Sequence, residues 1–109
     1  MKLVIAIIHD RDEKRAGKAL RQAGFRFTKV ASTGGFLVQG NSTFFIGVPK
    51  EEVNDVLAIL EDVSRTREQY VNVMPPEASP VGTFLTNPVK VQVGGAVVFV
   101  VDVERAERF

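Results

Sequence analysis

A short apolar run near the start of the chain, Leu3 to Ile8, constrains the fold more than any other feature. The run is continuous, rich in β-branched residues and too short for a typical helix, which predicts a strand covered on both faces. Such a strand belongs in the centre of a sheet. The run is far shorter than the roughly 20 apolar residues that cross a bilayer, and no signal-peptide cleavage region follows it. We therefore expect a soluble cytoplasmic protein with no membrane partner.

The first helix is predicted directly after this strand. Asp10 and Glu13 have the spacing of a capping box, and Gly24 is a typical helix stop. Apolar residues recur at helical spacing between them, so the predicted helix spans Arg11 to Ala23. Basic residues alternate along it and indicate a solvated face: Arg11, Lys14, Arg15, Lys18 and Arg21.

A second helix is predicted from about Pro49 to Arg65. Proline suits the first turn of a helix, and Glu51 and Glu52 favour the helix dipole there. An apolar stripe then follows one side of the helix: Val53, Val56, Leu57, Leu60 and Val63. Both helices therefore have one side that a sheet can cover.

The remaining strands are less sharply bounded. Segments 25–31 and 43–48 read as strands because of their apolar content and alternation. The valine-rich tail, 89–103, contains Gly94 and Gly95, so either a hairpin turns there or one long strand bends there. Segment 71–88 carries four prolines and one glycine, which predicts a flexible functional loop.

This order of elements predicts an α+β fold, the ferredoxin-like βαββαβ sandwich. Two helices would cover one face of an antiparallel sheet. Apolar residues such as Phe44, Phe45 and Ile46 exceed what two short helices can cover. We expect a symmetric oligomer to hide the rest.

Length and charge limit the classes of function. The 109 residues correspond to a single domain, 1–109, and the 14 Lys and Arg nearly balance the 13 Asp and Glu. This balance argues against DNA binding driven by charge and against a polybasic membrane anchor. Because the chain has no Cys, a disulfide framework, a thiolate metal site and a cysteine nucleophile are excluded.

The most unusual stretch is the connection 32–43, which combines three glycines with several hydroxyl side chains. Glycines let backbone N–H groups point at a phosphate, and Arg26 on the preceding strand can supply charge. Phe36 offers a flat face for a purine, and the Asn41 amide can pair with an adenine edge. A plain glycine-rich hairpin explains the same residues, so the pattern leaves both interpretations open.

Other polar residues have ordinary structural explanations. His9 ends an apolar strand with no second His or Cys nearby in the sequence, which favours a hydrogen-bonded strand-end histidine over a metal ligand. Asp10, Asp12 and Glu13 cluster at a helix start, where carboxylates cap the helix rather than form a catalytic pair. We expect no metal site and no cofactor.

Five blocks of the sequence are specific in combination: segments 26–29 (RFTK), 33–37 (TGGFL), 40–43 (GNST), 67–69 (REQ) and 93–100 (VGGAVVFV). Together they resemble the cyclic-di-AMP receptor family of PII-like signal-transduction proteins, and the similarity runs over nearly the whole chain. The resemblance implies a PII-like homotrimer that binds cyclic di-AMP in clefts between subunits and performs no chemistry on it. It also implies that the long loop before the last strand responds to the ligand.

The resemblance also implies a set of ligand-binding residues. They are Arg26, Thr28, Gly35, Phe36, Leu37, Asn41, Thr43, Gly47, Phe99 and Arg108. Arg108 stands where family members carry an amide, so it either strengthens a phosphate contact or extends into solvent.

Three functions remain for comparison with the structure. The first is a non-enzymatic signal-transduction protein that binds cyclic di-AMP, its only expected ligand, and signals to an unidentified protein partner. The second is a small acylphosphatase-like hydrolase that uses Arg26 and Asn41 around one phosphate. The third is a metal-binding or structural trimer, which the absence of Cys and the solitary His9 disfavour.

Overall fold

The computed structural model describes residues 1–35, 37–72 and 88–109. The elements in chain order are β1 (Lys2–His9), α1 (Asp10–Gln22), β2 (Thr28–Gly34), β3 (Leu37–Val48), α2 (Val53–Ser64), β4 (Arg67–Asn72), β5 (Pro88–Val93) and β6 (Ala96–Asp102). A single 3₁₀ turn, Lys50–Glu52, leads into α2. The predicted βαββαβ order is confirmed by β1, α1, β2, β3, α2 and β6.

The strands of the described chain form two separate sheets. The main sheet has the order β2-β3-β1-β6 with antiparallel neighbours, and β1 is central, as its apolar run predicts. The second sheet is an antiparallel ribbon of β4 and β5. The ribbon is inserted between α2 and β6, so it is an addition to the ferredoxin-like core.

The helices pack on one face of the main sheet because every second residue of β1 points toward them. Val4, Ala6 and Ile8 are fully buried there. The rest of the core comes from neighbouring elements: Ala16, Leu20, Phe44, Ile46, Val48, Val56 and Leu60. Burial of each large side chain contributes roughly 1.5–3 kcal/mol, so this face supplies much of the stability of the chain.

The opposite face of the main sheet carries no helix, and we call it the open face. The strand registers place these residues on it: Leu3, Ile5, Ile7, Thr28, Val30, Ser32, Asn41, Thr43, Phe45, Gly47, Val97, Phe99 and Val101. Four of its large apolar side chains stay 36–49% exposed: Val30, Phe45, Phe99 and Val101. Within one chain, the prediction that β1 is covered on both faces therefore holds for the helix side only.

The starts of β2 and β3 differ from the sequence prediction. β2 starts at Thr28 rather than at residue 25, because Phe25 and Phe27 pack against the core instead of alternating along a strand. The Phe27 ring centroid lies 5.0 Å from that of Phe44. β3 starts at Leu37 rather than at Thr43, because a hairpin with polar residues and glycines continues the sheet.

The segment predicted as a flexible loop, 71–88, overlaps both strands of the ribbon. β4 extends to Asn72 and β5 begins at Pro88, and residues 73–87 lie outside the described part of the chain. At Gly94 and Gly95, with φ of 79° and 101°, the chain leaves the ribbon and enters the main sheet. The glycine pair thus joins two strands of different sheets and does not close a hairpin between them.

The predicted capping box at the start of α1 is wrong. His9 is the N-cap, and its Nδ1 accepts a hydrogen bond from the Arg11 N–H at 3.2 Å. Glu13 turns away from the helix start, because its carboxylate binds Ser42 and Lys29 on the neighbouring strands. In the described residues, no helix is long and apolar enough to span a membrane.

Candidate functional site

A cavity of about 260 Å³ lies on the open face, beside the turn that joins β2 to β3. It is lined by Ile7, Ser32, Thr33, Gly34, Gly35, Asn41 and Thr43. Strand register explains this grouping: Ser32 pairs with Asn41, and Thr43 lies between Val30 and Ile7. We call it the hairpin pocket.

A network of polar side chains forms one wall of the hairpin pocket. The Ser32 hydroxyl donates to the Asn41 amide oxygen and lies 3.0 Å from the Thr43 hydroxyl. Asn41 is only 4% exposed, so it presents a small and well-oriented surface to the pocket. The sequence prediction includes Asn41 and Thr43 but misses Ser32. The signal for Ser32 was its cross-strand pairing, which a sequence pattern shows only when the hairpin turn is known.

β3, the strand that carries Asn41 and Thr43, is also bound from the helix side of the sheet. Ser42, between Asn41 and Thr43, is buried and donates to Glu13. Lys29 Nζ lies 3.3 Å from the other Glu13 oxygen. The hydrogen bond from Ser42 is the main cause that lowers the pKa of Glu13, and the Lys29 charge acts in the same direction. The contact between Glu13 and Ser42 holds β3 against α1 at the point where Asn41 and Thr43 face the pocket.

The predicted site residues divide into two groups on the open face. Gly35, Asn41 and Thr43 line the hairpin pocket. Thr28 and Phe99 lie in one cross-strand row, through Phe45 and Ile5, and Gly47 lies in the next open-face row. From Thr28 to Gly34, β2 extends about 20 Å at roughly 3.3 Å per residue. One chain therefore does not bring all of these residues together.

The remaining predicted residues lie elsewhere. Arg26 lines a separate cavity of about 410 Å³ with Arg21, Phe25 and Phe27. Arg108 is exposed in the segment after β6. Phe36 lies outside the described residues, and Leu37 is described only as the first backbone position of β3. None of the residues lining the hairpin pocket is charged.

The acidic residues at the start of α1 have structural partners. Asp12 is fully buried and binds Arg15 and Arg67, and Glu13 binds Ser42 and Lys29. Among the residues that the structure describes, no group of three His, Cys, Asp or Glu side chains is placed to hold a metal ion.

Comparison with known proteins gives a family and a fold. The family model for the cyclic-di-AMP receptor matches residues 1–109. A functionally unknown protein from Pediococcus pentosaceus is 44% identical, with a TM-score of 0.77 over 99% of this chain and 96% of that chain. The PII protein of Arabidopsis thaliana, solved with citrate bound, has a TM-score of 0.61 at 17% identity, over 94% of this chain and 73% of that one. The second likeness shows that the fold is PII-like.

Proposed function

The chain belongs to the cyclic-di-AMP receptor family, and from this premise we propose that it is a non-enzymatic receptor that binds cyclic di-AMP where two copies meet. One observation carries the proposal: a small pocket, lined by hydroxyl and amide side chains beside glycines, opens directly onto an exposed apolar sheet face. A second copy of the chain that covers this face would also close the pocket.

The size and charge of the hairpin pocket support a site shared between copies. Its volume of about 260 Å³ is below the roughly 300–1,000 Å³ of pockets that enclose drug-sized ligands. Its lining is uncharged, whereas a cyclic dinucleotide carries two phosphodiester charges. A complete site therefore needs additional surface and at least one cation.

A symmetric homotrimer would supply both. Burial of the open face would bring Arg26, Thr28, Gly47 and Phe99 of one copy toward the hairpin pocket of the next. In this arrangement Arg26 pairs with a phosphodiester, and the polar wall of the pocket reads the adenine edge. Gly35, Phe36 and Leu37 would cover the base and a phosphate, and Arg108 would add a phosphate contact.

Signalling would follow from a difference in affinity between two arrangements of the oligomer. Cyclic di-AMP can shift such an equilibrium only if it binds one arrangement more tightly. The arrangement that binds it would then recruit or release a protein partner. Segment 71–88, which the sequence predicts as a ligand-responsive loop, would be part of the altered surface.

The hydrolase alternative receives less support from the geometry. It requires Arg26 and Asn41 around one phosphate, but in a single chain the two residues line different cavities. The receptor proposal is compatible with this separation because each residue can come from a different copy.

The test is titration calorimetry of the purified protein with cyclic di-AMP, cyclic di-GMP and ATP, with sedimentation equilibrium on the same sample. The proposal expects tight binding of cyclic di-AMP alone, at about one ligand per chain, to a trimer. It is overturned if no nucleotide binds, or if ATP binds as tightly as cyclic di-AMP.

Two variants test the hairpin pocket itself. Asn41→Ala should weaken the binding of cyclic di-AMP by about 1–3 kcal/mol, because a buried polar contact is lost. Thr43→Val keeps the side-chain shape and should also weaken binding, which covers the case that Asn41→Ala folds poorly. Asn54→Ala, exposed on α2, is the matched control. Wild-type affinity in both pocket variants would remove the pocket from the site.

A further inference from the structure

A second concave surface lies on the helix side of the sheet, between α1 and β2. It is a groove of about 290 Å³, and four of the side chains that line it are cationic: Lys14, Lys18, Arg21 and Lys29. We call it the basic groove. It lies on the opposite side of the sheet from the hairpin pocket, because Lys29 shares the face of the buried Phe44.

The base of the basic groove is apolar and well packed. A Cβ atom on Gly17 would lie 3.2 Å from the Phe27 ring, so the helix and the ring are in close contact there. The Arg21 guanidinium lies 5.6 Å from the centroid of the same ring, a cation–π distance. A chain segment in the groove would therefore find an apolar surface beneath a row of cations.

The cations of the groove outnumber its carboxylates. Glu13 is the acidic residue of the lining, and its oxygens already bind Ser42 and Lys29. In the described part of the chain, no ion pair involves Lys14, Lys18 or Arg21. Like charges four residues apart destabilise a helix, so this arrangement has a local cost that a bound anion would offset.

Arg15 shows that not every basic residue of α1 lines the basic groove. Its guanidinium binds Asp12 and lies 2.6 Å from the Val63 carbonyl oxygen of α2. The basic residues of α1 are therefore sorted by face, with one side joined to α2 and the other lining the groove.

We propose that the basic groove docks an acidic, extended segment of a partner protein. Lys14, Lys18 and Arg21 span about 10 Å along α1, at 1.5 Å per residue. Alternate side chains of an extended segment are about 7 Å apart, so two or three carboxylates can follow this row. The apolar base would contact the remaining side chains of the segment.

Other anions fit the groove less well. A single phosphate is usually held by converging backbone N–H groups, whereas this groove is walled by long side chains from the middle of a helix. A nucleic acid would continue past α1 toward α2 and the 3₁₀ turn before it, whose joint surface is acidic: Glu51, Glu52, Asp55, Glu61 and Asp62 are all exposed. The formal net charge is only +1, so a long polyanion would meet repulsion soon after leaving the groove.

The test uses a fluorescein-labelled octapeptide of alternating Glu and Ala, with a Gln and Ala octapeptide as the uncharged probe. Fluorescence anisotropy at low salt should show binding of the acidic peptide to the whole protein and much weaker binding of the neutral one. The double variant Lys14→Glu with Lys18→Glu should bind the acidic peptide at least about tenfold more weakly than wild type does. Lys14→Gln with Lys18→Gln, a milder change, should weaken it by a smaller factor, and thermal unfolding checks that both variants fold.

The control variant is Lys50→Glu with Arg65→Glu, which changes the net charge equally at exposed positions next to α2. Its affinity for the acidic peptide should be less than about threefold weaker than that of wild type. Equal weakening in the groove and control variants would overturn the proposal, as would tighter binding of a single-stranded oligonucleotide. The proposal would also be overturned if the protein self-associates and Lys14→Glu with Lys18→Glu abolishes this association. The acidic α2 of a second copy would then be the occupant of the groove. None of these outcomes depends on whether cyclic di-AMP binds.

Discussion

The Arg67 guanidinium holds both oxygens of the fully buried Asp12, with Nη2 3.0 Å from Oδ1 and Nη1 3.4 Å from Oδ2. Asp12 lies in the first turn of α1, and Arg67 is the first residue of β4. This ion pair therefore anchors the base of the β4–β5 ribbon to the helix layer. Arg15 completes the arrangement at 3.1 Å from Oδ1, so the buried charge has two cationic partners.

Arg67→Ala should lower the free energy of unfolding by about 1.5–3 kcal/mol, because a hydrogen-bonded partner of a buried carboxylate is lost. Urea unfolding at one fixed protein concentration measures this, since an oligomer's stability depends on concentration. Arg65→Ala is the control: its pair with Asp62 is exposed, at 3.8 Å, and should contribute less than about 1 kcal/mol. Similar losses in the two variants would contradict the anchoring role.

Gly94→Ala should destabilise the protein more than Gly24→Ala. Both glycines have positive φ, 79° and 87°, so each substitution costs about 1–2 kcal/mol of backbone strain. Only at Gly94 does a Cβ atom also collide with neighbours, since it would lie 2.7 Å from Asp12 Oδ2. That collision should add about 1–3 kcal/mol. Thermal and urea unfolding compare the two, and equal losses would exclude the collision.

If the chain forms the proposed oligomer, Val101→Glu should dissociate it, whereas Val100→Glu should leave it assembled. The two residues are neighbours on β6 and equally exposed, at 42% each. Val101 lies on the open face, and Val100 pairs with Val4 on the helix side. A buried, unpaired carboxylate is costly, so only the first variant opposes burial of the open face. Sedimentation equilibrium gives the masses; an intact oligomer in Val101→Glu would argue against this interface.

Glu13→Gln should remove a stabilising contribution that wild type shows near neutral pH and loses in acid. The hydrogen bond from Ser42, aided by Lys29, lowers the pKa of Glu13 below its ordinary value of 4.5. When folding lowers the pKa of a carboxyl group, the ionised group stabilises the folded state. This contribution is complete at pH values above the pKa of the unfolded state, and it is lost as the pH falls through the pKa of the folded state. The stability difference between wild type and Glu13→Gln should thus be constant above about pH 5 and shrink below 4.5.

Urea unfolding of both proteins across this pH range checks the prediction. In Ser42→Ala, the free energy of unfolding should fall less in acid than it does in wild type. The substitution removes the main cause of the lowered pKa of Glu13 and leaves Lys29 in place. A difference between wild type and Glu13→Gln that persists unchanged to about pH 3 would show that the carboxylate charge is not its source.

The candidate site was only partly predictable from the sequence. Asn41 is predicted because an amide beside glycines and hydroxyls is suited to nucleotide binding, and the family resemblance adds Thr43. Ser32 was missed because its contact with Asn41 depends on the register of β2 and β3. The start of β2 was misplaced because Phe25 and Phe27 imitate strand alternation while packing on the core. The ribbon was missed because β4 is polar and mixed in composition, and its partner β5 lies beyond a proline-rich segment.

Elements whose burial repeats at short range follow from the amino-acid sequence alone. Leu3 to Ile8 form the central strand, and the stripe from Val53 to Val63 lies on α2, because periodic apolar residues are a local property of the chain. The folded structure was needed to show that Thr28 and Phe99 share one row of the open face, and that Asp12 meets Arg67 across 55 positions of sequence. Such meetings depend on strand register and helix packing, which bring distant residues together through the summed contacts of the whole fold.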